Sequence, residues 1–198
     1  MGNKNYKEKR DFDKTDEPKG SIKESSGDKP IFVIQKHDAT QIHYDFRIEI
    51  DGTLKSWSVP KGPSTDPSEK QMAIPTGDHP LEYADFEGVI PEDEYGGGTV
   101  MIWDKGTFEN IKKDDEGNPM SLKKSYEILT IEIRLKGEKI EGGYALVEME
   151  SGKMEGNWLL IKMDDDKADA RRNPTSTENK SVESGRTLNE IEKEESES

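Results

Sequence analysis

Cysteine is absent from all 198 residues. That excludes a disulfide framework, a thiolate metal site and a cysteine nucleophile. No apolar run approaches the roughly 18 residues a membrane-spanning helix needs. The first ten residues, Met1 to Arg10, contain no apolar stretch of the kind a signal peptide requires. A cytoplasmic protein with no membrane partner is therefore expected. Positive charge is also short: 29 Lys and Arg face 43 Asp and Glu, a formal net charge of -14. Non-specific nucleic-acid binding runs on phosphate neutralisation, so this chain should not coat a duplex. It can act on a nucleic-acid end only if basic groups gather around one site. Gly96-Gly97-Gly98 lacks the Gly-Lys-Ser/Thr or Gly-x-Gly-x-x-Gly context of a phosphate cradle and reads as a turn.

What is present is unevenly spread. Hydrophobic residues make up 29% and charged residues 36%, more polar than a compact globule requires. Residues 30–163 read as folded, behind a polar arm over 1–29 in which Ser25-Ser26-Gly27-Asp28 is linker chemistry. Residues 164–198 hold eleven acidic and six basic residues and few apolar ones. An acidic, disordered tail is expected there, with at most a frayed helix over 190–197. Removing it should leave folding and catalysis nearly unchanged. Strands are predicted over 31–36, 43–50, 54–59, 72–76, 99–103, 129–135, 144–149 and 157–162. Asp51-Gly52 marks a tight hairpin and Gly142-Gly143 another turn. Only 121–128 and 81–86 look helical. This is a mainly β pattern, fitting a small barrel or sandwich.

Histidine is scarce too, with three in the chain: His37, His43 and His79. Along 43–50, Tyr44, Phe46, Ile48 and Ile50 alternate with His43, Asp45, Arg47 and Glu49. Successive strand residues face opposite ways. One face is then core, and the other carries an imidazole, a carboxylate and a guanidinium in a row. Those groups must face water, a ligand or each other. Two imidazoles and a carboxylate suit a divalent metal such as Mn, Fe, Co or Zn, with positions left open for catalysis. The plain alternative is a scatter of surface histidines. Arg47 is placed to clamp phosphate oxygens, or else to make a surface ion pair with Asp45 or Glu49. His79, before Pro80 and four residues ahead of Tyr83, could contact phosphate or protonate a leaving alkoxide, or be an exposed loop residue. Lys61 could bind phosphate or simply be solvated.

Several strings together resemble one family. They are Phe32-Val33-Ile34-Gln35-Lys36-His37, His43-Tyr44-Asp45-Phe46-Arg47, Leu54-Lys55-Ser56-Trp57-Ser58-Val59-Pro60-Lys61-Gly62-Pro63 and Asp78-His79-Pro80-Leu81-Glu82-Tyr83-Ala84-Asp85-Phe86-Glu87-Gly88. Ile90-Pro91, Tyr95-Gly96, Trp103-Asp104-Lys105-Gly106 and Asn157-Trp158-Leu159-Leu160-Ile161-Lys162 extend the match. The pattern is similar to the 3′-phosphoesterase domain of bacterial DNA ligase D, from about Arg10 to Met163. The resemblance implies a small closed β-barrel of about eight strands with a few short helices and an active site in a surface groove. It implies a hydrolase using Mn2+, with Co2+ or Zn2+ as alternatives. Its substrates would be DNA 3′ ends on a primer-template or RNA-tailed DNA. It would remove a terminal ribonucleoside and then the 3′-phosphate, leaving a 3′-hydroxyl. The domain is expected to stand alone, without polymerase or ligase modules. A separate DNA ligase and end-joining proteins would be its partners.

Carried over residue by residue, the resemblance makes His37, His43 and Asp45 the metal ligands. Arg47 and His79 become the phosphate contacts, Tyr83 the tyrosine beside them and Lys61 a supporting lysine. Arg10, Asp11 and Glu17 become arm residues needed for activity. Gln71 departs from the pattern, standing where a basic residue is expected, which bears on how the strand is held in the diesterase step. Two competitors remain: a cupin-like metal enzyme acting on a small molecule, and a non-catalytic DNA-repair accessory module. A deep apolar pocket inside the barrel would favour the cupin-like reading. With Arg47 on the polar face, Arg47→Ala is expected to leave the melting temperature nearly unchanged.

Overall fold

The computed structural model describes residues 2–20, 27 and 29–198. Apart from Gly27, the linker expected at 25–28 lies outside the described residues. The strands are β1 (Ile31–Asp38), β2 (Ile42–Ile50), β3 (Thr53–Val59), β4 (Lys70–Pro80), β5 (Gly88–Ile90), β6 (Gly98–Asn110), β7 (Thr130–Gly137), β8 (Glu141–Glu148) and β9 (Trp158–Lys162). Neighbours run β1-β2-β3-β4-β9-β8-β7-β6, and β6 pairs back onto β1. The result is a closed antiparallel barrel of eight strands, with β5 added outside along the start of β6. Short helices complete the fold: α1 (Gly2–Glu8), α2 (Leu122–Glu127), α3 (Pro174–Thr177), α4 (Leu188–Ser196) and a 3₁₀ turn over Leu81–Asp85. Among the described residues, no helix is long and apolar enough to cross a membrane.

The barrel interior is filled. Phe32, Phe46, Trp57, Trp103, Phe108 and Tyr144 are all buried there. Large aromatic side chains of this kind dominate core energetics through the area they bury. Among the described residues, a lumen packed this way leaves little room for the apolar pocket that the cupin-like reading needs.

A second apolar layer lies outside the wall. Tyr6 from α1, Leu81, Tyr83, Ala84 and Phe86 from the 3₁₀ turn and its exit, and Ile90 from β5 cover outward-facing Val33, Leu54, Val100 and Ile102. The β1–β2 wall therefore has a buried side chain on each surface. On β2, Tyr44, Phe46, Ile48 and Ile50 join the interior. Asp45, Arg47 and Glu49 point outward, yet are only 7%, 4% and 4% exposed. They face each other and the covering layer.

Two local expectations need correction. Gly142 and Gly143 are not a turn; they lie in β8, paired with Leu135 and Arg134. The chain reverses just before them, where the buried Asp104 carboxylate accepts hydrogen bonds from the N–H groups of Glu138, Lys139 and Ile140. A Cβ at Gly143 would lie 2.9 Å from Met163 Sδ, so a larger residue there would have to displace that side chain.

The C-terminal segment is not loose. Ile191 of α4 is fully buried in the main core. Val182 N–H donates to Ile102 O (3.0 Å), Trp103 Nε1–H to Glu178 O (2.7 Å) and Thr65 Oγ1–H to Asp169 O (2.7 Å). Thr187 and Glu190 form a capping box that starts α4. The acidic average concealed a few apolar residues, placed where the barrel has partners for them.

Candidate active site

Strand register builds the site. In the antiparallel β1–β2 pair, His37 lies opposite His43 and Gln35 opposite Asp45. Directly opposed residues share a face, so one outward patch receives His37, His43, Asp45, Gln35 and Arg47. One ligand atom each from His37, His43 and Asp45 falls within 4.8 Å of the others. Asp45 Oδ2 is 3.5 Å from His37 Nδ1, and Asp45 Oδ1 is 3.5 Å from His43 Nε2. His37 Nε2 is buried with no hydrogen-bond partner. A buried polar atom left without a partner is costly. Two imidazoles, a carboxylate and an unpartnered ring nitrogen fit a divalent cation, so these three residues form a candidate metal triad.

The charges around the triad shape its protonation. Burial alone would raise the Asp45 carboxyl, but Arg47 and the two imidazoles outweigh it and hold Asp45 well below the usual carboxylate range. The hydrogen bond to Asp45 raises the His43 imidazole, against the effect of burial.

Arg47 links the triad to a second group. Its Nε–H donates to Gln35 Oε1 at 2.7 Å, its Nη2 lies 3.3 Å from Asp45 Oδ2, and its Nη1 lies 3.1 Å from His79 Nδ1. His79 enters from the end of β4, opposite Leu54 of β3. Its Nδ1 also lies 2.7 Å from Gly77 O, and its Nε2 faces Arg10 Nη2 at 3.4 Å. Burial, and then the guanidiniums of Arg47 and Arg10, push the His79 imidazole well below its usual value. The ring is thus held neutral between two cations.

The N-terminal arm supplies the other wall. Arg10 Nε–H donates to the buried Glu17 carboxylate at 2.8 Å, and the Tyr83 hydroxyl donates to the same oxygen at 2.9 Å. Thr15 Oγ1–H holds the other Glu17 oxygen at 3.1 Å. Burial raises the Tyr83 phenol well above its usual value, so it stays a donor. Arg10 also stacks on Tyr6, its Cζ 3.9 Å from the ring centroid. Tyr6 and Arg10 line a cavity of about 340 Å³ on the outer wall, reached also by His37, His43, Asp45, Arg47, His79 and Tyr83. A guanidinium carries five N–H donors. Arg10 and Arg47 each direct only part of that set at protein atoms, which leaves donors for an anion.

Not every expected residue is brought here. Asp11 is exposed; its carboxylate accepts from Asp13 N–H and lies 3.9 Å from Lys14 Nζ. Lys61 and Gln71 line a separate cavity with Arg171 and Arg172. The site also uses residues that the sequence reading did not single out. Gln35 Nε2 donates to Tyr83 O and Phe86 O, both at 2.9 Å, and so ties the 3₁₀ turn to the barrel. Its signal was present, since Gln35 precedes His37 by two and shares its strand face. Thr15 and Tyr6 carried no signal in a polar arm.

This geometry meets independent likeness to known proteins. The profile describing the DNA Ligase D 3′-phosphoesterase domain matches residues 35–148. The chain is 47% identical over 144 residues to the multifunctional non-homologous end joining protein LigD of Pseudomonas aeruginosa, covering 72% of this chain and 16% of that protein. It is 46% identical over 142 residues to the LigD DNA repair protein of Mycobacterium tuberculosis, covering 72% of this chain and 18% of that one. The corresponding protein of Mycolicibacterium smegmatis is 41% identical over 146 residues, again with 18% of its length covered. The chain thus spans less than a fifth of these relatives. The matched segment contains His37, His43, Asp45, Arg47, His79 and Tyr83, and on this ground the chain belongs to the DNA ligase D 3′-phosphoesterase domain family.

Proposed function

We propose that the protein is a metal-dependent phosphoesterase that heals DNA 3′ ends in the cytoplasm. It removes 3′-terminal ribonucleosides and 3′-phosphates, and the resulting 3′-hydroxyl is joined by a separate DNA ligase during non-homologous end joining. The observation that carries this reading is the outer-wall cavity in which the His37–His43–Asp45 triad meets Arg47, His79 and Arg10. Mn2+ is the preferred ion, because oxygen chemistry on phosphate suits it, with Co2+ or Zn2+ as substitutes. When bound, such an ion polarises a phosphate oxygen and favours an activated water.

The chain's own residues do the rest. Arg47 and Arg10 present guanidinium N–H groups to the phosphate and neutralise charge that builds on its oxygens. Hydrolysis forms a bond from water oxygen to phosphorus. It breaks the bond to the 5′-oxygen of the departing ribonucleoside in the diester step and the bond to the 3′-oxygen in the monoester step, and in each the leaving oxygen must gain a proton. His79 sits where that proton is needed. In the free protein burial and, after it, two cations keep it neutral; phosphate charge offsets the cations and raises its affinity for a proton. Tyr83 and Glu17 position Arg10. Lys61 and Gln71 lie apart and would touch only the strand beyond the scissile group. Asp11 would act through the shape of the arm. The filled lumen weighs against the cupin-like reading, and the complete triad against a non-catalytic module.

The test uses a primer ending in a 3′-phosphate, and another ending in a ribonucleotide, each annealed to a template. Mn2+ should convert both to 3′-hydroxyl ends that a ligase seals, with products resolved on a gel. Unchanged primers across Mn2+, Co2+ and Zn2+ would reject the proposal.

A further inference from the structure

The groups described so far account for the phosphate but not for the base attached to it. Tyr95 lines the same cavity and is 53% exposed. Its aromatic neighbours at the site are different: Tyr6 and Tyr83 are 3% and 2% exposed. Arg10 Cζ lies 5.4 Å from the Tyr95 ring centroid, and Lys9 Nζ lies 5.1 Å from it. Arg10 thus spans from the ring to His79 Nε2, which it approaches at 3.4 Å. A phosphate held by Arg10, Arg47 and His79 places its sugar and base at the cavity rim, where this open ring stands.

The ring is also held in place. Residues 91–97 form two successive turns, with Glu94 N–H donating to Pro91 O at 3.0 Å and Gly97 N–H to Glu94 O at 3.1 Å. Gly96 adopts φ +78°, a left-handed conformation that favours glycine. A Cβ at Gly97 would meet Pro91 O at 2.7 Å, and one at Gly98 would collide with Asp38 O. Lys14 Nζ ties Glu94 to the arm at 3.2 Å. The Gly96-Gly97-Gly98 run is therefore a packing device that seats Tyr95 beside the triad strands.

We propose that Tyr95 is the stacking platform for the terminal nucleobase of the strand whose 3′ end is processed. The inference rests on the phosphoesterase reading. Any base offers a π-face to an aromatic ring, so such a platform is sequence-tolerant, and nearby cations strengthen it. Base stacking removed by alanine typically weakens binding about tenfold.

The test compares two 3′-phosphate primers that differ only in the terminal nucleotide, one with a base and one abasic. Tyr95→Ala should raise KM for the base-bearing end about tenfold. It should leave kcat, and KM for the abasic end, nearly unchanged. Tyr95→Phe should restore the wild-type KM. A 2-aminopurine at the terminal position, bound in chelator so that no turnover occurs, should be quenched by wild type and less by Tyr95→Ala. If Tyr95→Ala raises KM equally on both ends, or on neither, the platform is rejected and the ring only supports the arm. If wild type releases phosphate from neither end, the phosphoesterase reading fails, and this inference falls with it.

Discussion

Tyr44 and Asp45 are consecutive on β2, and both are buried, yet they occupy opposite environments. Tyr44 joins the aromatic interior; Asp45 lies in the polar layer beneath the arm. The interior is held by shape and apolar area. The outer face is held by partners, since each buried charge must be matched or becomes costly. Arg47 matches Gln35, Asp45 and His79 at once. Burial therefore does not separate core from site in this molecule. What separates them is whether the covering layer supplies apolar contacts or hydrogen bonds. A patch this polar and this enclosed is poorly suited to stability alone, and that makes it the place to look for chemistry.

Substitutions on the two faces should fail in different ways. The largest loss is expected from Asp45→Ala, which removes the carboxylate of the triad. Phosphate release should fall on the order of a thousandfold, in line with several kcal/mol of metal assistance. Metal binding measured by calorimetry should vanish with it. Arg47→Ala should cost on the order of a hundredfold in turnover. It should also lower stability by about 3–5 kcal/mol in chemical denaturation, because Asp45 loses a buried partner. The expectation of an unchanged melting temperature treated Arg47 as a surface residue, and at 4% exposure it is not one. Arg47→Lys should recover activity only in part, lacking the planar fork.

Phe46→Ala tests the opposite face. It should cost about 3–5 kcal/mol of stability, while the folded fraction keeps its turnover and metal affinity. Ending the chain after Met163 should destabilise it by roughly 2–5 kcal/mol through loss of the Ile191 contact with the core. A truncated protein that melts like the full chain would show that α4 contributes no packing. The smallest effect concerns pH. Asp45 raises the His43 imidazole, so a proton competes with the ion at a higher pH than for an ordinary histidine. Below that raised value, metal affinity should weaken by up to about tenfold per pH unit as His43 gains its proton. Affinity that stays flat down to pH 5 would remove His43 from the ligand set.

Much of this was legible in the residues because strand alternation is a local rule. The apolar set Tyr44, Phe46, Ile48 and Ile50 and its polar counterpart follow directly from period two. Asp51-Gly52, with φ of 51° and 72°, is the hairpin its residue types indicate. Element lengths were less legible. β4 continues through Gly77, Asp78 and His79, and β6 through Lys105 and Gly106, where polar residues and glycine interrupt the apolar pattern. Features set by distant partners were hidden altogether. Nothing near Ile191 shows that the barrel has room for it, and nothing near Gly143 shows that Met163 and Asp165 crowd it. Arg10 and Glu17 were reached only through family resemblance, which also named Asp11 and Lys61, and these two lie away from the cavity. A resemblance carries identity along the chain, while the cavity is decided by burial and register.

The central claim is that the ion site lies on the outer face of the β1–β2 wall beneath the arm. Anomalous diffraction from a crystal soaked in Mn2+ measures this most directly. The account predicts a peak within bonding reach of His37, His43 and Asp45, lost in Asp45→Ala. A fully occupied peak inside the barrel, or none at this triad while the soaked protein releases 3′-phosphate, would contradict it.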